Sequence, residues 1–154
     1  MTVATETEAR ADCNDPPGPE VEWRRCYLDG RDLRGADLTG AMLHDATFQR
    51  ADLSNADLSH ARASRAKFMS ADLTGAKLDG AELREADFTR ADLKGASFRE
   101  AELMRTRFFG ASLRNADFTG ARLRGTDFLN ANLSGAVWID GERRCAEGSI
   151  GQCQ

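Results

Sequence analysis

The sequence predicts an all-β fold, a parallel β-helix of square cross-section in which four five-residue units make each coil. Three observations carry this expectation. An apolar residue returns at every fifth position from Leu28 to Trp138, alanine stands two places before it in nearly every unit, and aromatic centres recur at intervals of 20 residues.

Calling the repeated apolar residue i, the chain holds 23 consecutive units without insertion or deletion, with 14 Leu, 7 Phe, Trp138 and Ala63 as centres. At i−2, 19 units carry Ala and two carry Thr (Thr106 and Thr126), after Cys26 and Arg31 at the start. A helix cannot bury this pattern, because a five-residue step rotates about 140° and spreads the apolar positions around the whole circumference. Extended backbone places i−2 and i on one face, but the next apolar residue comes three later, so the chain must bend at i+1 and i+2 in every unit. Gly35, Gly40, Gly75, Gly80, Gly95, Gly120, Gly125 and Gly135 recur there, with Asn55, Asn115 and Asn130 as the other turn-tolerant residues.

A chain that runs straight for about three residues and always turns the same way coils around an axis. Stacking coils at about 4.8 Å satisfies its backbone groups. Phe48, Phe68, Phe88, Phe108 and Phe128 form one column at 20-residue intervals; Phe98, Phe118 and Trp138 form another. Leu33, Leu53, Leu73, Leu93, Leu113 and Leu133 form a pure leucine column. A 15-residue coil would mix these columns, so four units per coil is the expectation, giving about six coils and a rod roughly 27 Å long at ~4.8 Å per coil.

Taken in order, residues 1–25 read as an N-terminal tail and cap, 26–140 as the repeat body, and 141–154 as a capping tail. The 154 residues suit a single domain. Of the net charge of −4, residues 1–25 contribute −3 and the body −1, so the body has a mixed-charge surface. That is no footprint for direct nucleic-acid binding. No apolar run approaches ~18 residues, so no membrane span is expected. The start, "MTVATETEARADCNDPPGPE", lacks the basic and apolar regions of a signal peptide, which gives a cytoplasmic expectation for the chain as written. Disulfide formation would instead indicate an exported mature fragment.

Units such as "ADLTG", "ADLSN", "ADFTR" and "ANLSG" resemble the A(D/N)LXX motif of the pentapeptide repeat proteins, over residues 26–140. The resemblance implies a right-handed quadrilateral β-helix. The flanks "PPGPEVEWRRCYLDGRDL" and "AVWIDGERRCAEGSIGQC" are similar to caps of bacterial members. Two residues depart from the pattern. Arg31 in an inward slot points to an irregular first coil or an interior open near the cap. Ala63 removes methylenes beside Leu43 and Leu83, leaving either a space filled by Phe48 and Phe68 or a void costing about 1–3 kcal/mol.

Cys13 and Cys26 bracket the Pro-rich entry, and Cys145 and Cys153 bracket the tail, which suggests one disulfide at each end; four free thiols are the alternative. No CxxC pair exists and His44 and His60 lie elsewhere, so no metal site or cofactor is expected. Asp32, Asp52, Asp72 and Asp92 form an acidic ladder at i−1, read as a solvated face partly neutralised by Arg34, Lys94 and Arg114, with divalent-cation binding as the alternative. No Ser or Cys nucleophile stands with a partner base at a recognisable motif, so no catalytic residues are assigned and no enzyme activity is expected.

At i+1, where Thr, Ser and Arg are usual, Met69, Phe109 and Leu129 stand on the phenylalanine face, with Met104 on the adjoining face and Ile139 near the end. They read either as an interaction patch for a protein partner or self-association, or as side chains tucked under the tail. The leading functional expectation is a non-enzymatic scaffold read by a protein partner. The resemblance supplies an alternative, a DNA-mimicking protein that binds DNA gyrase and protects it from quinolones or peptide toxins. Against it, the body is nearly neutral and Arg62, Arg65, Arg84, Arg105, Arg122 and Arg124 populate one face. A third reading makes the regular array a substrate for a modifying enzyme.

Overall fold

A computed structural model describes residues 12–154. Its pairing unit is short: isolated parallel bridges join each i−1 residue to the residue 20 further along, from Glu22↔Met42 through Asp72↔Asp92 to Asp117↔Val137. A 20-residue register with four bridges per coil is the square section that the Phe and Leu columns predict. The four sides are named below by early centres: the Leu33, Leu38, Leu43 and Phe48 faces.

Units below the last coil hydrogen-bond in the same way. The Leu73 N–H donates to the carbonyl of Asp92 at 2.7 Å, Gly75 N–H to Lys94 at 2.9 Å, and Asp72 N–H back to Ala51 at 3.0 Å, while Ala76 N–H closes the turn onto Leu73 at 3.0 Å. Three bonds run between coils and one within. The backbone is therefore satisfied along the axis, which frees the outward side chains from any pairing role.

The turn falls more sharply than the sequence implies. Only i+2 takes a left-handed conformation, and 14 non-glycine residues adopt it at φ of +55° to +60°, among them Arg65, Glu85, His60 and Ser70. Such a conformation costs about 1–2 kcal/mol per residue, and here the inter-coil bonds of the turn offset it. Glycine is favoured locally for another reason. A Cβ on Gly75 would meet Asn55 Oδ1 at 2.5 Å, and one on Gly80 would meet His60 Nδ1 at 2.6 Å. At these corners the side chain one coil below folds over the turn, and a Cβ would have to push it aside.

The interior is filled as the pattern requires, with Ala at the corners and Leu or Phe on the axis, nearly all fully buried. Phe48, Phe68, Phe88, Phe108 and Phe128 stack with centroids 4.7–5.3 Å apart, and Phe98 stacks on Phe118 at 5.2 Å. Neighbouring columns meet edge-on, Phe98 against Phe88 at 6.0 Å and against Phe108 at 5.5 Å. Each such pair adds about 0.5–1.5 kcal/mol beyond burial. Ala63 is fully buried between Leu43 and Leu83 on its face.

Arg31 does not disturb the coil. Its N–H closes a turn onto Leu28 at 3.3 Å and its carbonyl accepts from Asp52 N–H at 2.9 Å, as in regular units, while its side chain lies exposed beside residues 14–17. Pairing also begins one unit before Leu28, with Trp23 as a fully buried centre and Glu22 bridged to Met42.

The C-terminal tail turns back antiparallel. Asn132 bridges Ile150 and Val137 bridges Arg144, so the tail lies across the ends of the Leu33 and Leu38 faces. A two-pronged ion pair from Arg114 to Glu147, at 3.0 and 3.2 Å, fastens it to the rod.

Candidate interaction surfaces

The acidic ladder is in register: Asp32↔Asp52, Asp52↔Asp72 and Asp72↔Asp92 are successive parallel bridges. These carboxylates do more than face water. Asp52 Oδ1 accepts the N–H of Ser54 at 3.0 Å and its hydroxyl at 2.7 Å; Asp72 accepts Thr74 N–H at 2.9 Å and Asp92 accepts Lys94 N–H at 3.2 Å. The same contact recurs at Asp57, Asp87, Asp117 and Asn132. An acceptor at i−1 thus ties down the otherwise unbonded i+1 amide at the bend, and either Asp or Asn can supply it. This role was missed in the sequence, although the recurring Asp-x-Ser/Thr spacing signals it.

Charge partners pull several of these groups in the expected direction. The guanidinium of Arg34, bonded to Asp32 at 2.9 and 2.8 Å, holds that carboxyl below the usual range. Arg65 does the same for Asp45 across one coil, at 2.8 and 3.0 Å. Thr39 lowers Asp37, and the backbone amides of Arg143 and Glu142 lower Asp140. All favour the ionised form, so none acts as an acid near neutral pH. Among the described residues, no group of three or more His, Cys, Asp or Glu is placed to hold a metal ion, and no helix is long and apolar enough to cross a membrane.

The arginines predicted on one face are largely paired with carboxylates: Arg62 with Glu82, Arg84 and Arg122 with Glu102, and Arg105 with Glu85, at 3.1–4.0 Å. Arg65 turns to Asp45. Exposed pairs of this kind stabilise by less than about 1 kcal/mol each. Arg124 has no carboxylate within ion-pair distance among the described residues. It lines a shallow groove of about 580 Å³ together with Arg84, Glu85, Met104, Arg105 and Gly125.

The predicted apolar patch divides. Phe109 and Leu129 stand one coil apart in one turn column, joined through the Gly110 N–H to Leu129 carbonyl bond, and Met69 lies two coils below Phe109 with Thr89 between. Leu129 is 59% exposed, whereas Met69, Met104 and Phe109 are half-buried. Ile139 lies on the Leu38 face, away from the others. The tail bonds to residues 131–138 and leaves Leu129 uncovered. Two exposed apolar side chains escaped the sequence reading: Tyr27, 84% exposed at an i−1 position, and Ile150 in the tail. Tyr27 follows from the rule that i−1 points outward.

Cys13 is bonded to Cys26, and Cys145 to Cys153, so each end of the rod carries one disulfide.

Known proteins are similar to this chain. The family profile for pentapeptide repeats matches residues 24–59, 66–103 and 101–137, in 8 copies. HetL, a pentapeptide repeat protein involved in heterocyst differentiation regulation in the cyanobacterium Nostoc sp. strain PCC 7120, is 33% identical with a TM-score of 0.54; the match covers 80% of this chain and 64% of HetL. The chain therefore spans a little under two thirds of that relative. A thylakoid-lumen pentapeptide repeat protein of Arabidopsis thaliana is 28% identical, with a TM-score of 0.49 and coverage of 79% and 83%. QnrB1, a plasmid-mediated fluoroquinolone resistance protein, is 24% identical over 82% of this chain and 73% of its own, with a TM-score of 0.41. No curated protein sequence matches the chain. With 20-residue coils, alanine corners and profile matches across most of its length, the chain belongs to the pentapeptide repeat family and to its right-handed β-helix fold.

Proposed function

We propose that the protein is a non-enzymatic scaffold of about six coils whose outer surface is read by a protein partner. The observation that carries this reading is the Phe109–Leu129 column. Polar residues, most often Thr, Ser or Arg, are usual at i+1 on the rod, yet here two large apolar side chains stand in adjacent coils and Leu129 is 59% exposed. A rigid face with fixed side-chain spacing suits recognition, since binding loses little conformational entropy. Affinity capture from the native host tests it. The wild-type chain is expected to retain a defined partner that a Phe109→Ser/Leu129→Asp variant with unchanged melting loses; capture indifferent to both substitutions contradicts the reading.

A second reading, binding of DNA gyrase, is favoured by the in-register column from Asp32 to Asp92. It ranks second because one carboxylate per coil, at about 4.8 Å, is sparser than the one phosphate per ~1.7 Å of DNA axis, and because these carboxylates are engaged with backbone amides and arginines. A supercoiling assay with and without quinolone decides it: no effect at micromolar protein removes gyrase from consideration.

A further inference from the structure

The tail closes only half of the C-terminal end of the rod. On the Leu33 and Leu38 faces, Leu133 N–H donates to Ser149, Gly135 N–H to Cys145 and Trp138 N–H to Arg143, while the carbonyls of Ala131 and Ala136 accept from Gly151 and Cys145, all at 2.7–2.9 Å. On the other two faces no coil follows residues 121–130, and the tail comes near only at one corner, where Gly151 lies beside the Phe128 carbonyl and the Asn130 amide without bonding to either. One coil earlier the corresponding groups are all bonded: Leu103, Arg105, Phe108 and Gly110 donate to Arg122, Arg124, Asp127 and Leu129, and Ala101 and Thr106 accept from Arg122 and Asp127. In the last coil the N–H groups of Leu123, Gly125, Phe128 and Asn130 and the carbonyls of Ala121 and Thr126 have no such partner among the described residues. Native proteins cover or blunt a strand edge of this kind.

We propose that this open edge is a docking site for one extended acidic strand of a partner protein, which adds to the solenoid as half of a further coil. The proposal rests on the scaffold reading and names the chemistry of its partner. Three features select the occupant. The edge offers four donors against two acceptors; Arg124, with no carboxylate within ion-pair distance among the described residues, and Arg122, shared with Glu102 at 3.8 Å, flank its first half, so the leading carboxylate of an incoming strand meets positive charge there, while Asp127 stands on the second half. Leu123 and Phe128, only half-buried, leave apolar ground for side chains alternating with those acids. A second copy fits poorly. The tail already occupies two of the four faces it would stack upon, and a two-fold edge-to-edge pairing would set Arg122 and Arg124 against their own counterparts. The strand the edge asks for is small, acidic, large apolar in sequence, the order that the preceding coils of these two faces carry in "AELREADF", residues 81–88.

The test is fluorescence polarisation of the full chain with a labelled peptide of sequence AELSEADFTS, which repeats residues 81–90 with both arginines changed to serine. Saturable binding is expected. It should weaken at least about tenfold in Arg122→Glu/Arg124→Glu, whose melting is unchanged, and by a similar factor when the peptide amides of its second and seventh residues are methylated, since these must donate to Ala121 and Thr126. Rising salt should weaken it as well. Absence of saturable binding, binding indifferent to methylation, or a concentration-dependent dimer abolished by the same arginine substitutions would overturn the proposal. Because the Phe109 and Leu129 column is read out separately by host capture, this test can fail while the scaffold reading stands.

Discussion

Thr106 Oγ1 donates a 2.6 Å hydrogen bond to the carbonyl oxygen of Leu83, which lies one coil below and also accepts the amide of Ala86. Thr126 repeats the contact with Leu103 at 2.7 Å. The corner slot that alanine fills elsewhere thus tolerates a β-branched hydroxyl residue because the corner carbonyl keeps a free lone pair. Thr106→Val removes the bond and keeps the shape, and should destabilise by about 1 kcal/mol, whereas Thr106→Ser should retain most of it. Denaturant midpoints of the two variants check this; equal midpoints would show that the bond contributes nothing.

The stacked rings make a second expectation. Phe88 touches Phe68, Phe98 and Phe108 and is fully buried. Phe88→Ala should cost about 3–5 kcal/mol, and Phe88→Leu, which restores the commoner centre, under about 1.5 kcal/mol. Chemical denaturation of both variants measures the gap.

How much of this was legible in the sequence differs by element. The square coil was, because Phe48 to Phe128 and Leu33 to Leu133 can hold unmixed columns at no other period. The left-handed corner at i+2 was not, since Arg65, Glu85 and His60 give no local hint; inter-coil hydrogen bonds impose it. Asp52 and Asp72 were legible as an outward column but not as acceptors for the bend. The half-closed end was illegible for a plain reason: the tail has no repeat, and its antiparallel return is made by backbone bonds between residues 131–138 and 143–151, which leave no side-chain pattern to read.

The two disulfides close loops with separations of 13 and 8 residues. By the loop-entropy relation each can contribute about 2–3 kcal/mol, concentrated at the ends of the rod. Reduction should lower the melting temperature and raise amide exchange first near Trp23 and in residues 143–153. Uniform exchange along the rod would contradict local stapling. Thiol counting on protein purified from its native host also settles the compartment: no free thiol matches export, four match the cytoplasm.

Asp140 accepts the amides of Glu142 and Arg143 at 3.0 and 2.8 Å, and these bonds lower its pKa in the folded state. A carboxyl so depressed stabilises the fold above its unfolded value, and the effect disappears as pH falls through the folded value. Acidification below the ordinary carboxylate range should therefore loosen the tail in the wild type. Asp140→Ala should show the looser tail already at neutral pH, with a smaller further change on acidification; exchange of the Cys145 amide reads both.

The four-unit coil itself is tested most directly by deletion. Removing residues 71–90 takes out one coil and leaves every column, both disulfides and the tail on their own faces. Removing residues 71–85 takes out fewer residues but rotates everything beyond by one face, setting Phe88 against Leu53 and breaking the Phe stack. Thermal unfolding should show the 20-residue deletion melting cooperatively within a few degrees of the full chain. The 15-residue deletion should lose several kcal/mol through misplaced rings, a drop of at least about 10 °C at 2–4 °C per kcal/mol. Equal melting of the two deletions would contradict the square coil.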